Sequence, residues 1–137
     1  WMGYLNTKTG EVTYANAGHN PPLIRRADGS VEYIKSRPGL VLAGMEGIRY
    51  RSNTIQLSQG DILYLYTDGV TEATDLNNEL YGESRLLAVL EKESNVDVHS
   101  MCHLVKADVD AFAGKAPQFD DISMLSLQYN LPKEETT

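Results

Sequence analysis

The hydrophobic pattern of this chain is densest at residues 62–66, Ile-Leu-Tyr-Leu-Tyr, where every position is apolar or aromatic. The run opens on the turn pair Gly60-Asp61 and stops at Thr67-Asp68-Gly69. A short aromatic-rich run bounded by turn residues is expected to be a strand buried on both faces. Before it, residues 1–5 and 11–17 form two strands joined by a loop over 6–10. In the second strand, Val12, Tyr14 and Asn16 share one face. Residues 23–26 and 31–34 form a further hairpin, with Asp28-Gly29 as a two-residue turn signal. Residues 36–47 are a connection punctuated by Gly and Pro, and 48–57 alternate as another strand.

The period changes after the central run. A short helical segment is expected over 70–74, followed by a polar loop at 75–81. From Glu83 onward, Leu86, Leu87 and Leu90 recur at helical spacing. Residues 95–97 break that helix and cap the next, in which Met101, Leu104, Val105, Val109 and Phe112 form an apolar stripe ended by Gly114. A last strand starts after Asp120-Asp121, and the tail over 131–137 is expected to fray. Antiparallel strands, two helices and a returning strand make one α+β domain over residues 1–130.

Composition narrows the function classes. Apolar residues at 42% and charged ones at 23% suit a globular domain, and no apolar stretch reaches a membrane span. The net charge of −7 argues against a nucleic-acid surface, which is normally basic. The single Cys102 excludes an internal disulfide and, within a helical stripe, reads as packing.

The candidate chemistry lies at two acidic strand ends. Asp68 follows the buried run and is followed by Gly69, which lets the backbone bend. Such a carboxylate either holds a metal ion or water, or caps the short helix after it. Asp120 and Asp121 adjoin at the start of the last strand, where two like charges entering a core call for a cation or donors. Hard divalent ions choose carboxylate and water oxygens and need few protein ligands. His19 and Asn20, in Asn-Ala-Gly-His-Asn-Pro-Pro, either support a site or secure a turn. Arg25-Arg26 read either as a phosphate clamp or as solvated surface. His99 and His103 have metal-ligand spacing on a helix but lack the intervening Glu of a zinc protease motif.

Taken in order, Ala15-Asn16-Ala17-Gly18-His19-Asn20-Pro21-Pro22, Gly60-Asp61 through Thr67-Asp68-Gly69-Val70-Thr71-Glu72-Ala73, and Phe119-Asp120-Asp121-Ile122-Ser123 resemble the SpoIIE/RsbU-type phosphatases. These are the bacterial branch of the metal-dependent phosphatases related to protein phosphatase 2C. The resemblance implies an α-β-β-α sandwich of two mainly antiparallel sheets. It also implies Mn²⁺ or Mg²⁺ in a two-metal centre that hydrolyses phosphoserine or phosphothreonine on a regulatory protein such as an anti-sigma-factor antagonist. Asp68 and Asp120 match the family's ligand positions, and Gly69 provides the turn beside them. Asp121 falls where relatives often carry Asn and is given a supporting role. His19 and Asn20 stand where related protein phosphatase 2C enzymes carry Gly-Asp-Ser-Arg, so no metal role is carried over, and they either support the site or secure the turn. The family's earlier Asp-x-x-Gly-His-Gly segment has no counterpart, since Gly-His-Gly occurs nowhere in the chain. An N-terminally truncated catalytic domain is therefore expected, inactive alone and prone to pair its open edges with a second copy. A cytoplasmic parent with an upstream sensor or receiver domain is implied by the same resemblance. The alternative is a phosphatase-like module that binds a partner without catalysis.

Overall fold

The computed structural model describes residues 1–35, 39–92 and 97–131. Two antiparallel sheets face each other. The first is built from β1 (Met2–Leu5), β2 (Glu11–Ala15) and β5 (Asn53–Gln56), in the order β1-β2-β5. The second contains β3 (Leu23–Arg25), β4 (Val31–Tyr33), β6 (Ile62–Tyr66) and β7 (Met124–Gln128), in the order β4-β3-β6-β7. Helix α1 (Asp68–Thr71) follows β6 directly, and α2 (Gly82–Lys92) and α3 (Val98–Ala113) cover the second sheet. Two sheets with helices packed on them are the α+β architecture that the patterning calls for.

β6 divides the core as a strand buried on both faces must. Ile62, Tyr64 and Tyr66 pack with Leu86, Leu90, Met101, Val105 and Val109 of the helices. Leu63 points the other way, to Val12, Tyr14 and Ile24 between the sheets. Burial raises the pKa of the tyrosines on the helix side and so keeps them neutral, with Tyr66 pushed up to about 12, chiefly by desolvation. Cys102 is half-buried against the same core, with Sγ 3.5 Å from Ser126 Oγ, which agrees with packing. Asp97 caps α3, accepting from the His99 amide at 2.7 Å, and Gly114 closes it; 95 and 96, the other expected breakers, lie outside the described residues.

Several expectations need correction. The strand expected over 48–57 is only Asn53–Gln56, and it pairs with β2. The turn at 57–61 therefore carries the chain from one sheet to the other. Asp61 is why it can: its carboxylate is 1% exposed and accepts from Ser58 N at 2.9 Å, Ala27 N at 3.0 Å and Arg26 Nη1 at 2.8 Å. Arg26 is thus held by Asp61 and Glu32, and Arg25 is buried, so neither arginine is the solvated surface group or phosphate clamp considered above. The β3–β4 connection is longer than two residues. Gly29 N donates to Arg26 O, Arg26 N to Ser30 O, and Gly29 takes a left-handed φ of 92°, a turn followed by a bulge. The helix after β6 starts at Asp68, two residues early, and ends at Thr71. The tail over 132–137 and residues 36–38 of the connection lie outside the described residues.

Asp61→Ala is expected to cost about 2–4 kcal/mol in urea denaturation. It leaves two backbone amides and a cation without their acceptor, and the partial exposure of Arg26 keeps the figure below the full buried-pair penalty. A loss under about 0.5 kcal/mol, typical of a surface substitution, would contradict this reading of the crossover.

Candidate active site

The three motifs meet at the C-terminal end of β6. Thr67 leaves the strand and fastens it to the segment before β7. Its amide donates to Ser123 O at 2.9 Å, its hydroxyl donates to Asp121 O at 3.0 Å, and the Ser123 amide donates to the same hydroxyl at 2.9 Å. Register pairing of Tyr66 with Met124 continues directly into this clasp. Strand pairing alone therefore brings the segment of Asp68 beside that of Asp120.

Gly69 makes the contact close. Its backbone is helical and buried, and a Cβ built on it would lie 2.4 Å from Asp121 O, 3.0 Å from Asp121 C and 3.3 Å from Asp120 O. Sequence reasoning assigns Gly69 the freedom to bend the chain. The structure instead uses its lack of a side chain, which lets α1 press against the backbone of the acidic pair.

Asp68 and Asp120 are both exposed. Asp68 Oδ1 accepts from the Gly69 amide at 3.0 Å, and Asp120 Oδ1 accepts from the Asp121 amide at 2.7 Å. Thr67, not Asp68, is the N-cap of α1, and it makes no side-chain capping bond, so helix capping does not account for the Asp68 carboxylate. Asp121 serves the site through its backbone, as the acceptor for Thr67. Asp120 and Asp121 are both solvated, so water relieves their repulsion and it demands no cation.

The loop over 16–20 reaches the same place from the other side. Asn16 is buried and braces the turn, accepting from His19 N at 2.8 Å and donating to His19 O at 2.9 Å. His19 Nδ1 lies 2.7 Å from Asn20 O, so the imidazole is engaged with its own turn. Asn20 Nδ2 approaches Thr71 Oγ1 at 3.5 Å, and Thr71 Oγ1 donates to Asp68 O at 3.3 Å. Asn20 thereby touches the helix that begins with Asp68. Sequence reading overlooked Thr67, Asn16 and Thr71. A hydroxyl or amide next to each motif was the available signal, but its partners lie up to 56 residues away.

Among the described residues no group of three or more His, Cys, Asp or Glu side chains could enclose a metal. His99 and His103 are exposed and find no further ligand there. The donor set at β6 is two carboxylates on touching segments plus backbone carbonyls. It fits part of the oxygen shell of a hard divalent ion and leaves the rest to other ligands.

Known proteins resemble this chain in sequence and in fold. The family model for Stage II sporulation protein E (SpoIIE) matches residues 1–130. Protein IcfG of Synechocystis sp. is 28% identical over 130 residues, covering 95% of this chain and 20% of that protein. Phosphoserine phosphatase RsbU of Bacillus subtilis is 34% identical over 70 residues, covering 51% of this chain and 21% of that protein. The chain thus spans about a fifth of the length of these relatives. In structure it is similar to the RsbU and RsbW domains of a Mycobacterium tuberculosis protein, with a TM-score of 0.75 at 24% identity, covering 96% of this chain and 36% of that one. It is also similar to the SpoIIE phosphatase domain of Bacillus subtilis, with a TM-score of 0.72 at 15% identity, covering 96% and 57%. At these identities the structures speak for the fold, that of protein phosphatase 2C domains. With its three motifs gathered at one strand end and its length matched from 1 to 130, the chain belongs to the SpoIIE family.

Proposed function

We propose that this chain is part of a metal-dependent protein phosphatase domain that removes phosphate from phosphoserine or phosphothreonine on a bacterial regulatory protein, an anti-sigma-factor antagonist being the kind of substrate meant. The observation that carries the reading is the contact of Gly69 with the backbone of Asp120 and Asp121, which ties the two acidic motifs into one surface. Asp68 and Asp120 would be carboxylate ligands to Mn²⁺ or Mg²⁺. When bound, such ions activate a water and neutralise phosphoryl oxygens. The chain's own share is positional. Thr67 holds the end of β6 against Ser123 and Asp121, Gly69 admits the close approach, and Asn20 reaches α1 from the neighbouring loop, within which His19 is engaged.

A longer parent is supported by the small share of each relative that the chain covers, and an upstream sensor or receiver domain belongs to the same reading. A cytoplasmic site of action belongs to the same reading, and among the described residues no helix is long and apolar enough to cross a membrane. The incomplete donor set favours one further reading, a phosphatase-like module that binds its partner without catalysis. β1 and β7 end their sheets with Met2, Tyr4 and Leu125 exposed, so the isolated chain would be expected to self-associate.

The test uses the intact parent protein and a phosphoserine protein substrate. Phosphate release that requires Mn²⁺ and stops with EDTA is expected, with little or none from the 137-residue chain alone. Binding of the phosphoprotein without metal-dependent turnover would establish the non-catalytic reading instead.

A further inference from the structure

Residues 39–45, Gly-Leu-Val-Leu-Ala-Gly-Met, carry no charged side chain, yet Leu40, Val41, Leu42 and Met45 are each more than half exposed. Single exposed apolar residues are ordinary on a protein surface, whereas four within six positions form a patch of the kind that marks an interaction site. The segment is held rather than loose. Gly39 N donates to Asn16 O at 3.0 Å, Tyr50 Oη donates to Val41 O at 3.3 Å, and Gly44 N closes a turn onto Val41 O at 3.0 Å. Within that turn Ala43 takes a left-handed φ of 63°, which strains most residues other than glycine. The backbone of Val41 packs on Gly18, where a Cβ would lie 3.0 Å from Val41 Cα. Gly18 belongs to the turn whose Asn20 touches α1, so the patch is mounted beside the helix that begins with Asp68. On the side of the acidic pair, Phe119 is 77% exposed and immediately precedes Asp120.

We propose that Leu40, Val41, Leu42 and Met45 on one side of the site, with Phe119 on the other, are the docking surface for the protein that bears the phosphoserine. The surface fits aliphatic side chains flanking that phosphoserine. The identity of the partner rests on the phosphatase reading, and position supports it. A phosphoserine brought to Asp68 and Asp120 carries its neighbours in the chain past Phe119 on one side and toward the 39–45 loop on the other. Charge supports the apolar chemistry. The chain has a net charge of −7, and Asp68, Glu72, Asp120 and Asp121 are all exposed around the site. An anionic phosphoprotein therefore gains no steering from the field of this surface. Affinity beyond the phosphate has to come from surface whose burial does not depend on charge, and these five side chains supply it. A loop already pinned at Gly39, Val41 and Gly44 also loses little conformational freedom when it is covered.

The experiment measures fluorescence polarisation of labelled phosphoserine peptides on the intact parent protein in EDTA, so that neither turnover nor metal enters. One peptide carries leucines on both sides of the phosphoserine, a second carries serines there, and a third carries lysines. At least about tenfold tighter binding of the leucine peptide than of the serine peptide is expected. Leu42→Ser and Phe119→Ser should each erase most of that preference, whereas Leu42→Met and Phe119→Leu should keep it. Both residues are exposed, so an unchanged melting temperature is expected and shows that each variant is folded. Equal binding of the leucine and serine peptides, a preference that survives both serine variants, or tightest binding of the lysine peptide overturns the proposal. Two results in place of the leucine preference would reassign the patch and overturn it as well. Self-association abolished by Leu42→Ser would give the patch to a second copy, and Leu42-dependent binding to phosphatidylcholine–phosphatidylglycerol vesicles would give it to a membrane. Mn²⁺-dependent turnover without leucine preference would sink this inference alone, and leucine preference without turnover in Mn²⁺ would sink the phosphatase reading alone.

Discussion

Asp68→Asn and Asp120→Asn are each expected to lower Mn²⁺-dependent phosphatase activity of the intact protein by more than about 100-fold at limiting metal, while leaving its unfolding transition nearly unmoved. The catalytic half follows from charge. A hard divalent ion is held by carboxylate oxygens, and an amide at the same position offers a neutral oxygen only. Losing an outer-shell partner already costs roughly 10–100-fold, and a direct ligand should cost more. The stability half follows from geometry. Both carboxylates are exposed, and each accepts one local amide, from Gly69 and from Asp121, that an asparagine oxygen can still accept. Surface changes of this kind stay within about 0.5 kcal/mol. Isothermal titration with Mn²⁺ beside a phosphopeptide assay measures both. Wild-type turnover by either variant at limiting metal would remove that residue from the ligand set.

Gly69→Ala should destabilise the protein, against the direction that helix propensity gives. Gly69 lies in α1, where alanine is ordinarily favoured over glycine by about 1 kcal/mol. Here the new methyl would lie 2.4 Å from the Asp121 carbonyl oxygen. That oxygen belongs to backbone held by Thr67, not to a side chain that can swing away. Either α1 or the 120–121 segment must move, and overpacking of this sort costs roughly 1–3 kcal/mol. A drop in melting temperature of roughly 4 °C or more is expected. Mn²⁺ affinity should fall with it, since the displaced backbone carries Asp120. A melting temperature that rises on Gly69→Ala would show that the two segments are not pressed together, and the site described here would have to be redrawn.

The Gly69 prediction concerns a contact across about 50 residues of sequence, and that is where the boundary of sequence reading falls. The apolar run of β6 was legible because a strand buried on both faces has no polar alternation to show. The stripes of α2 and α3 and the Asp97 cap were legible because helix geometry is local. Asp68 alone reads as ordinary turn chemistry; it stood out because a second acidic strand end follows at Asp120, and the order of the three motifs pointed to the family. None of this required knowing which strands pair.

What tertiary structure decided is the meaning of the residues between. Alternation marked 48–57 as a strand, but only pairing with β2 shows that four of those residues form it, and in the other sheet. Gly60-Asp61 reads as an ordinary turn, yet Asp61 is a buried acceptor for the sheet crossover, because its donors Ala27 and Arg26 arrive from a different hairpin. Gly69 reads as a flexible hinge. It is a steric necessity, because the Asp121 carbonyl comes within reach only once β6 and β7 are paired. Local patterning reports what a residue prefers. Long-range pairing sets what it touches, and contact distances of 2–4 Å between distant segments are not written in any stretch of the chain taken alone.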